Sequence, residues 1–423
     1  MKTVGHTIPN QENHWVTFVF FSLACLQSFF GPLDIADSAT KLSVGLNGVV
    51  FIKLAIAGLV GIASAWGICF YPSARQAVCS VPAAFLFAML FLTLAGGLNG
   101  VTAAAVPSSI INTANVLFVV VALTVLGFRR YCLAILLGIL FTAAIGLALY
   151  YVVPSRGVFL EPIADGEFLE RLGGMAHPNS VARSVIIGGL IAASFALRKE
   201  LSWALSVGLL MLFGWNAILT KSRTAIAGGI FGGIALMADN LRSRTGVVLI
   251  GVGIILAISS VFYLFATGNE ARLVDRVVGL VSKSGDTSEL TSGTGRTDIW
   301  MEALRHIAIR PLLGYGLNAG PVLLIDHSQA THNAILHATM SGGLIAGVIM
   351  IGLQLWTLWL AFYSPNLLVR SLCVFMVISC LTEDTVLETF PGPCTLVWFA
   401  CCLLPTLPSM GTDADESSSP QET

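Results

Sequence analysis

Residues 338–363 read ATMSGGLIAGVIMIGLQLWTLWLAFY, a run without one charged side chain. A helix rises 1.5 Å per residue, so about 20 apolar residues cross a bilayer core roughly 30 Å thick, and this stretch is long enough to span one. The pattern recurs along the chain. Apolar runs between charged or Pro/Gly-rich breaks lie near 15–33, 46–70, 81–98, 109–127, 132–153, 181–197, 201–219, 224–238, 246–267, 338–363, 368–383 and 393–408. The expected fold is an all-α polytopic membrane protein of about 12 transmembrane helices, with a long extracytoplasmic loop between spans nine and ten.

Composition agrees with this reading. Only 11% of the 423 residues are charged and 56% are hydrophobic, whereas a soluble domain carries roughly a quarter charged residues, which excludes an ordinary cytosolic enzyme. A net charge of -1 leaves no basic excess to neutralise phosphates, so no nucleic acid is expected as a partner, and membrane lipids are. The nine cysteines lie in or beside apolar runs without metal-binding spacing and read as buried free thiols. The first apolar run follows a polar head with no basic cluster and precedes no small-residue cleavage pattern; it reads as an uncleaved span.

The organisation expected is a cytoplasmic head at 1–14, spans one to nine across 15–267 with an outer loop at 154–180, and a long periplasmic loop at 268–331. Spans ten to twelve then cover 332–408, and a polar, acidic, disordered tail occupies 409–423. The short loops on the side of the termini carry Lys2, Arg75, Arg129, Arg130, Arg198, Lys199, Arg242, Arg244 and Arg370. The opposite short loops hold Lys41 with Asp34, Asp37, Glu383, Asp384 and Glu388. The positive-inside bias therefore places both termini in the cytoplasm. Arg272, Arg276, Lys283, Arg296, Arg305 and Arg310 in the long outer loop run against that bias, and an anionic ligand would explain them.

Within that loop, residues 271–281 (ARLVDRVVGLV) have the spacing of an amphipathic surface helix. SKSGDTSELTSGTG then reads as mobile. A helix capped by Thr294 or Thr297 is expected from Asp298 toward Ile309, stopped by Pro311, with Ile299, Trp300, Ala303, Leu304 and Ile307 on its apolar side. His327, His332 and His337 follow. Counting back about 20 residues from Tyr363 puts the membrane boundary near Gly343 and His332 roughly 16 Å beyond it, at head-group level. Five of the seven histidines (His177, His306, His327, His332 and His337) fall on the outer side, so the chemistry is expected there.

GRTDIW (295–300), PLLGYGLN (311–318), HNAIL (332–336) and GGLIAG (342–347), with KSRTA (221–225) and HPNS (177–180), resemble the shared domain of O-antigen ligases and O-antigen polymerases. The resemblance covers roughly residues 170–350. It implies an integral-membrane glycosyltransferase that takes a glycan from undecaprenyl pyrophosphate on the outer face of the bacterial inner membrane. Ligases pass it to the lipid A core, polymerases to another repeat unit. Carried over residue by residue, Arg223 is the arginine of the SRT segment, Arg296 that of the GR-x-x-x-W segment, and His332 the motif histidine. Lys221 and Asn333, within the same segments, become substrate-binding candidates.

The chemistry of these residue types fits that role. A lipid pyrophosphate is a multiply charged anion, and the planar arginine fork grips phosphate oxygens bidentately. Two arginines from different loops would clamp it and stabilise the leaving charge. His332 suits the base that removes the acceptor hydroxyl proton near neutral pH. Each residue also has a local reading: Arg223 as a snorkelling charge, Arg296 as a cap or brace, and His332 as a backbone hydrogen-bonder.

His337 is favoured as a second acceptor contact, while His327 stays with a structural reading. Arg305 and Arg310 are secondary candidates that either extend the anion field or form a solvated face. His177 and Asn179 precede Arg183; Pro178 as a helix start explains that motif locally, and Arg183 near the membrane surface would touch phosphate. Lys53 in span two has no partner named by the sequence.

A transporter would need paired broken helices or an internal repeat, and no half-to-half similarity is found. A scaffold would not need this concentration of Arg and His outside. Within the family the ligase is preferred; a polymerase, or less readily a protein O-oligosaccharyltransferase, is the alternative, and the short tail speaks against the last. Asp298, Glu302 and Asp326 are scattered, so transfer without metal or cofactor is expected.

Overall fold

A computed structural model describes residues 14–33, 48–162, 168–238, 296–325, 330–384 and 386–407. The expected head, the span at 246–267, the surface helix at 271–281, the Gly/Ser/Thr stretch, His327 and the acidic tail lie outside the described residues.

The described chain is helical almost throughout. Its helices are α1 (His14–Phe30), α2 (Gly48–Phe70), α3 (Pro72–Val78), α4 (Val81–Leu98), α5 (Ala105–Val152), α6 (Pro154–Gly157), α7 (Pro178–Leu197), α8 (Trp203–Thr220) and α9 (Arg223–Leu236). After the gap come α10 (Arg296–Ile309), α11 (Gly320–Leu323), α12 (Ala334–Tyr363), α13 (Leu367–Thr382) and α14 (Pro393–Leu403). Among the described residues six helices, α2, α4, α5, α7, α8 and α12, are long and apolar enough to cross a membrane, and four shorter apolar helices accompany them. The chain is a polytopic helical membrane protein. Most of α2 faces outward, with Phe51, Leu59 and Ile62 more than half exposed, as suits a helix solvated by lipid.

The 48 residues of α5 are two antiparallel spans. Gly127 sits at φ 72°, ψ 164°, a conformation open to glycine that folds the helix back on itself. The packing shows the reversal. Neighbouring residues of α1 reach both halves: the Gln27 amide donates to Asn115, and Ser28 Oγ donates to Ile135 O at 2.9 Å. On one straight helix those two partners would stand about 30 Å apart. The expected spans at 109–127 and 132–153 are these two halves.

Arg129, just past the turn, meets Glu200 in the α7–α8 loop at 2.8 Å, so both connections lie at one end of the bundle. The starts of α7, α9 and α12 and the end of α13 gather at the other end, the site end below. α14 is apolar and buried at every position. Its eleven α-helical residues run on into a 3-10 turn at Leu404–Thr406, so the apolar helix expected over 393–408 is there, packed inside the bundle. Its Trp398 is fully buried, with Nε1 donating to Thr357 Oγ1 at 2.9 Å.

Three further expectations need correction. The outer segment 154–180 contains an antiparallel hairpin, β1 (Val158–Pro162) paired with β2 (Phe168–Leu172), so the fold is not wholly α. Leu304 is 48% exposed, which removes it from the buried face of α10 formed by Ile299, Ala303 and Ile307. Of the nine free thiols, Cys69 and Cys79 are exposed rather than buried.

The long apolar run that opens the sequence reading is itself broken. At Gly343 the backbone of α12 takes φ 79°, ψ −178°, which strands the carbonyls of the preceding turn and the N–H groups after it. The loop from Pro311 to Gly316 satisfies them. Tyr315 N–H donates to Met340 O at 2.9 Å, Gly316 N–H to Ser341 O at 2.8 Å, and Leu344 N–H to Pro311 O at 2.7 Å. Irregular backbone at this depth survives because protein, not lipid, supplies its partners. The short segment from Ala334 to the break is thereby pinned against the end of α10.

A methyl group at Gly343 would stand 2.1 Å from Leu312 O on a left-handed backbone. We expect Gly343→Ala to cost about 2 kcal/mol or more. Gly352→Ala, with nothing within 4 Å, should leave stability unchanged or slightly raised. Thermal unfolding of the two variants in one detergent checks this, and equal midpoints would show that the break is not required.

Candidate active site

Side chains from three other chain segments converge on the carboxylate of Glu383, the residue that follows α13. Its side chain is 5% exposed. Asn179 Nδ2 donates to Oε1 at 3.1 Å and Arg296 Nη2 to the same oxygen at 3.2 Å. On the other oxygen, His332 Nδ1 lies at 3.0 Å and Arg183 Nη1 at 3.4 Å. Burial would raise the pKa of this carboxyl group, but the His332 hydrogen bond and the charges of Arg183 and Arg296 outweigh it and bring it from 4.5 to about 2. Glu388 goes the other way: burial pushes its carboxyl above the ordinary value, against the pull of Arg183 at 3.7 Å.

Local rules place each partner. His177 caps α7, its Nδ1 accepting the Asn179 N–H at 3.3 Å, and Pro178 opens the helix, which sets Asn179 in the first turn. Asn333 caps α12: its Oδ1 accepts from Ile335 and Leu336 N–H, both at 3.0 Å, and its Nδ2 donates to Leu381 O at 3.2 Å. Trp300 Nε1 donates to Thr331 O at 3.0 Å and ties α10 to the residue before His332. His332 itself is left-handed, at φ 50°, a conformation that costs a β-carbon roughly 1–2 kcal/mol and is held by these flanking bonds.

Beside this node opens a cleft of about 130 Å³ lined by Arg171, Asn179, Lys221, Ser222, Arg223, Thr224 and Arg296. Lys221 is also left-handed, at φ 51°, in the two-residue turn of Lys221 and Ser222 that joins α8 to α9. Four cationic side chains thus face one cavity, and Arg296 is shared between the cleft and Glu383.

Arg223, Arg296 and His332 therefore belong to one connected site, each half-buried rather than buried, with exposed Lys221 at its rim. Other candidates take different places. Asn333 is a helix cap whose amide is already used at both ends. His177 is exposed as a cap, with its ring 5.4 Å from that of Phe159. Arg183 faces two carboxylates inside the bundle and does not line the cleft.

Arg305 pairs with Glu302 at 2.9 Å on the surface, and Arg310 donates to Asn99 O at 2.8 Å while lying over the Tyr315 ring. Both are turned to these partners rather than to the cleft. His337 is buried, with Nδ1 3.9 Å from Asp384 and Nε2 without a hydrogen-bond partner. Lys53 reaches Gly31 O at 3.0 Å and lies over the Phe390 ring.

Sequence reasoning missed Glu383 and Arg171. The first had a signal, a carboxylate at the very end of an apolar span. The second had only its place in FLERL, an alternating stretch too short to read as a strand.

Residues 207–351 match the family model described as O-antigen ligase. The chain carries an O-antigen ligase family domain. No curated protein matches the chain. The ligase domain contains Lys221, Arg223, Arg296 and His332, whereas Arg171, Asn179, Arg183 and Glu383, which hold them, lie on either side of it. The matched segment, similar to the O-antigen ligase family, thus lies in a chain whose described residues include six helices long and apolar enough to cross a membrane.

A carboxylate whose folded pKa is depressed stabilises fully above its unfolded value of 4.5 and loses that contribution as pH falls through about 2. At pH 7, Glu383→Gln should cost about 3–5 kcal/mol, because it leaves buried cations uncompensated. The gap between wild-type and Glu383→Gln melting temperatures should then narrow from pH 4.5 toward 2. Parallel curves across that window would contradict the pairing.

Proposed function

We propose that this protein is an O-antigen ligase: it moves a glycan from undecaprenyl pyrophosphate to a sugar hydroxyl of the lipid A core. We place the site on the periplasmic face of the bacterial inner membrane, in a fold of twelve spans with cytoplasmic termini. The observation that carries the reading is the cleft of Arg171, Lys221, Arg223 and Arg296 joined through Glu383 to His332. Clustered guanidinium groups suit a diphosphate, and a histidine held by a carboxylate suits a general base.

In this reading the acceptor oxygen attacks the anomeric carbon and forms the new glycosidic bond. The bond from that carbon to the pyrophosphate oxygen breaks, and its electron pair leaves with the lipid pyrophosphate. Arg223 and Arg296 hold the charge that develops there. The hydroxyl proton passes to His332 Nε2, because Nδ1 is turned to Glu383, whose negative charge stabilises the imidazolium that forms. The displacement inverts the anomeric centre. The cationic side chains supply the charge that a divalent ion would otherwise provide, so the transfer proceeds without metal.

Purified protein, undecaprenyl-pyrophosphate glycan and lipid A core should yield glycosylated core with EDTA present. Arg223→Ala and Arg296→Ala are each expected to slow transfer by about 10²–10³, and His332→Ala by about 10²–10⁴. Longer lipid-linked chains in place of glycosylated core would make the protein a polymerase. No transfer, or loss on EDTA reversed by Mg²⁺, would contradict the reading.

A further inference from the structure

We propose that Arg171 is a positioning residue for this transfer, one that locks the cation-bearing turn of the cleft and the Glu383–His332 pair into a single geometry. The inference rests on the transfer reaction proposed above. Arg171 lies on β2, opposite Phe159 of β1, and is 3% exposed. Its guanidinium donates in three directions: Nε to Thr220 O at 2.7 Å, Nη1 to Glu161 Oε2 at 2.5 Å, and Nη2 to Asn179 Oδ1 at 2.6 Å.

Each of those bonds reaches a different part of the site. Thr220 O is one of the carbonyls left unpaired where α8 ends, where a cation is also favoured by the helix dipole. Holding it fixes the exit of the chain into left-handed Lys221 and so the entry angles of Lys221 and Arg223 into the cleft. Asn179 uses its other end, Nδ2, on Glu383, which in turn holds Arg296 and His332. A continuous chain of hydrogen bonds therefore runs from the hairpin, through Arg171 and Asn179, to the base.

Stability alone does not account for such a residue. Burying an ion pair costs desolvation that its mutual attraction often only cancels, and an apolar pair of equal volume would serve the hairpin as well. What an apolar pair lacks is the planar fork that spans three acceptors at once. Lysine lacks it too, since its single ammonium would keep Glu161 and release Thr220 or Asn179.

The test is steady-state transfer by full-length protein from undecaprenyl-pyrophosphate glycan to lipid A core. Arg171→Lys and Asn179→Ala should each lower kcat by about 10- to 100-fold, the loss expected of a small misplacement. Acceptor KM should stay within about twofold. The double variant should be no slower than the slower single one, because both act through one chain. Glu161→Gln, which keeps the Nη1 bond, should retain most of the activity.

Wild-type kcat in Arg171→Lys, or losses that multiply in the double variant, would overturn the proposal. So would a kcat that falls only in proportion to folded protein, measured by thermal unfolding of the same samples. A wild-type protein that transfers while Arg171→Lys is indifferent refutes this inference alone. A wild type that transfers nothing refutes the reaction and the positioning role together.

Discussion

A carboxylate taken out of water must be paired, and in this protein the pairing of Glu383 draws the active end together. Its partners come from the start of α7, the start of α10, and His332 two residues before α12, none of which are neighbours in sequence. The pairing costs nothing extra in function, because the same partners are the groups a glycan transfer would use. Arg296 stands between the carboxylate and the cleft, and His332 is left with one ring nitrogen turned away from Glu383. The positive charge of the site is thus held in place by one negative charge set beneath it.

That arrangement depends on a helix that does not cross in one piece. Were α12 straight, its first turns would continue along the axis of the remainder and His332 would be carried away from α10. The break at Gly343 and the loop from Pro311 to Gly316, which answers its freed carbonyls, bring the two together. The helix break and the carboxylate node are coupled features, one setting the position of His332 and the other its orientation.

The helical, membrane-spanning character was legible because period and length alone carry it: runs such as 338–363 and 181–197 correspond to α12 and α7. Arg129 and Arg130 divided the run that Gly127 folds back. The hairpin was hidden because five-residue strands beside Pro and Gly leave no sustained alternation. Motif residues Arg223, Arg296 and His332 were singled out by resemblance alone, and the structure places Arg223 and Arg296 on one cleft and joins His332 to Arg296 through Glu383. Glu383 was not, since a hub made by residues 51 to 204 positions away has no local pattern. Asn333 has a second, local role that the motif did not suggest. An Asn ahead of an apolar helix is a capping signal, and its membership in the histidine motif obscured that simpler role.

The most direct measurement of the account is a structure of the protein with undecaprenyl-pyrophosphate glycan bound in a lipid disc. The account requires the pyrophosphate to lie between Arg223 and Arg296, with the anomeric carbon on the side of His332 Nε2. A pyrophosphate seated elsewhere, or a glycan pointing away from His332, would contradict it.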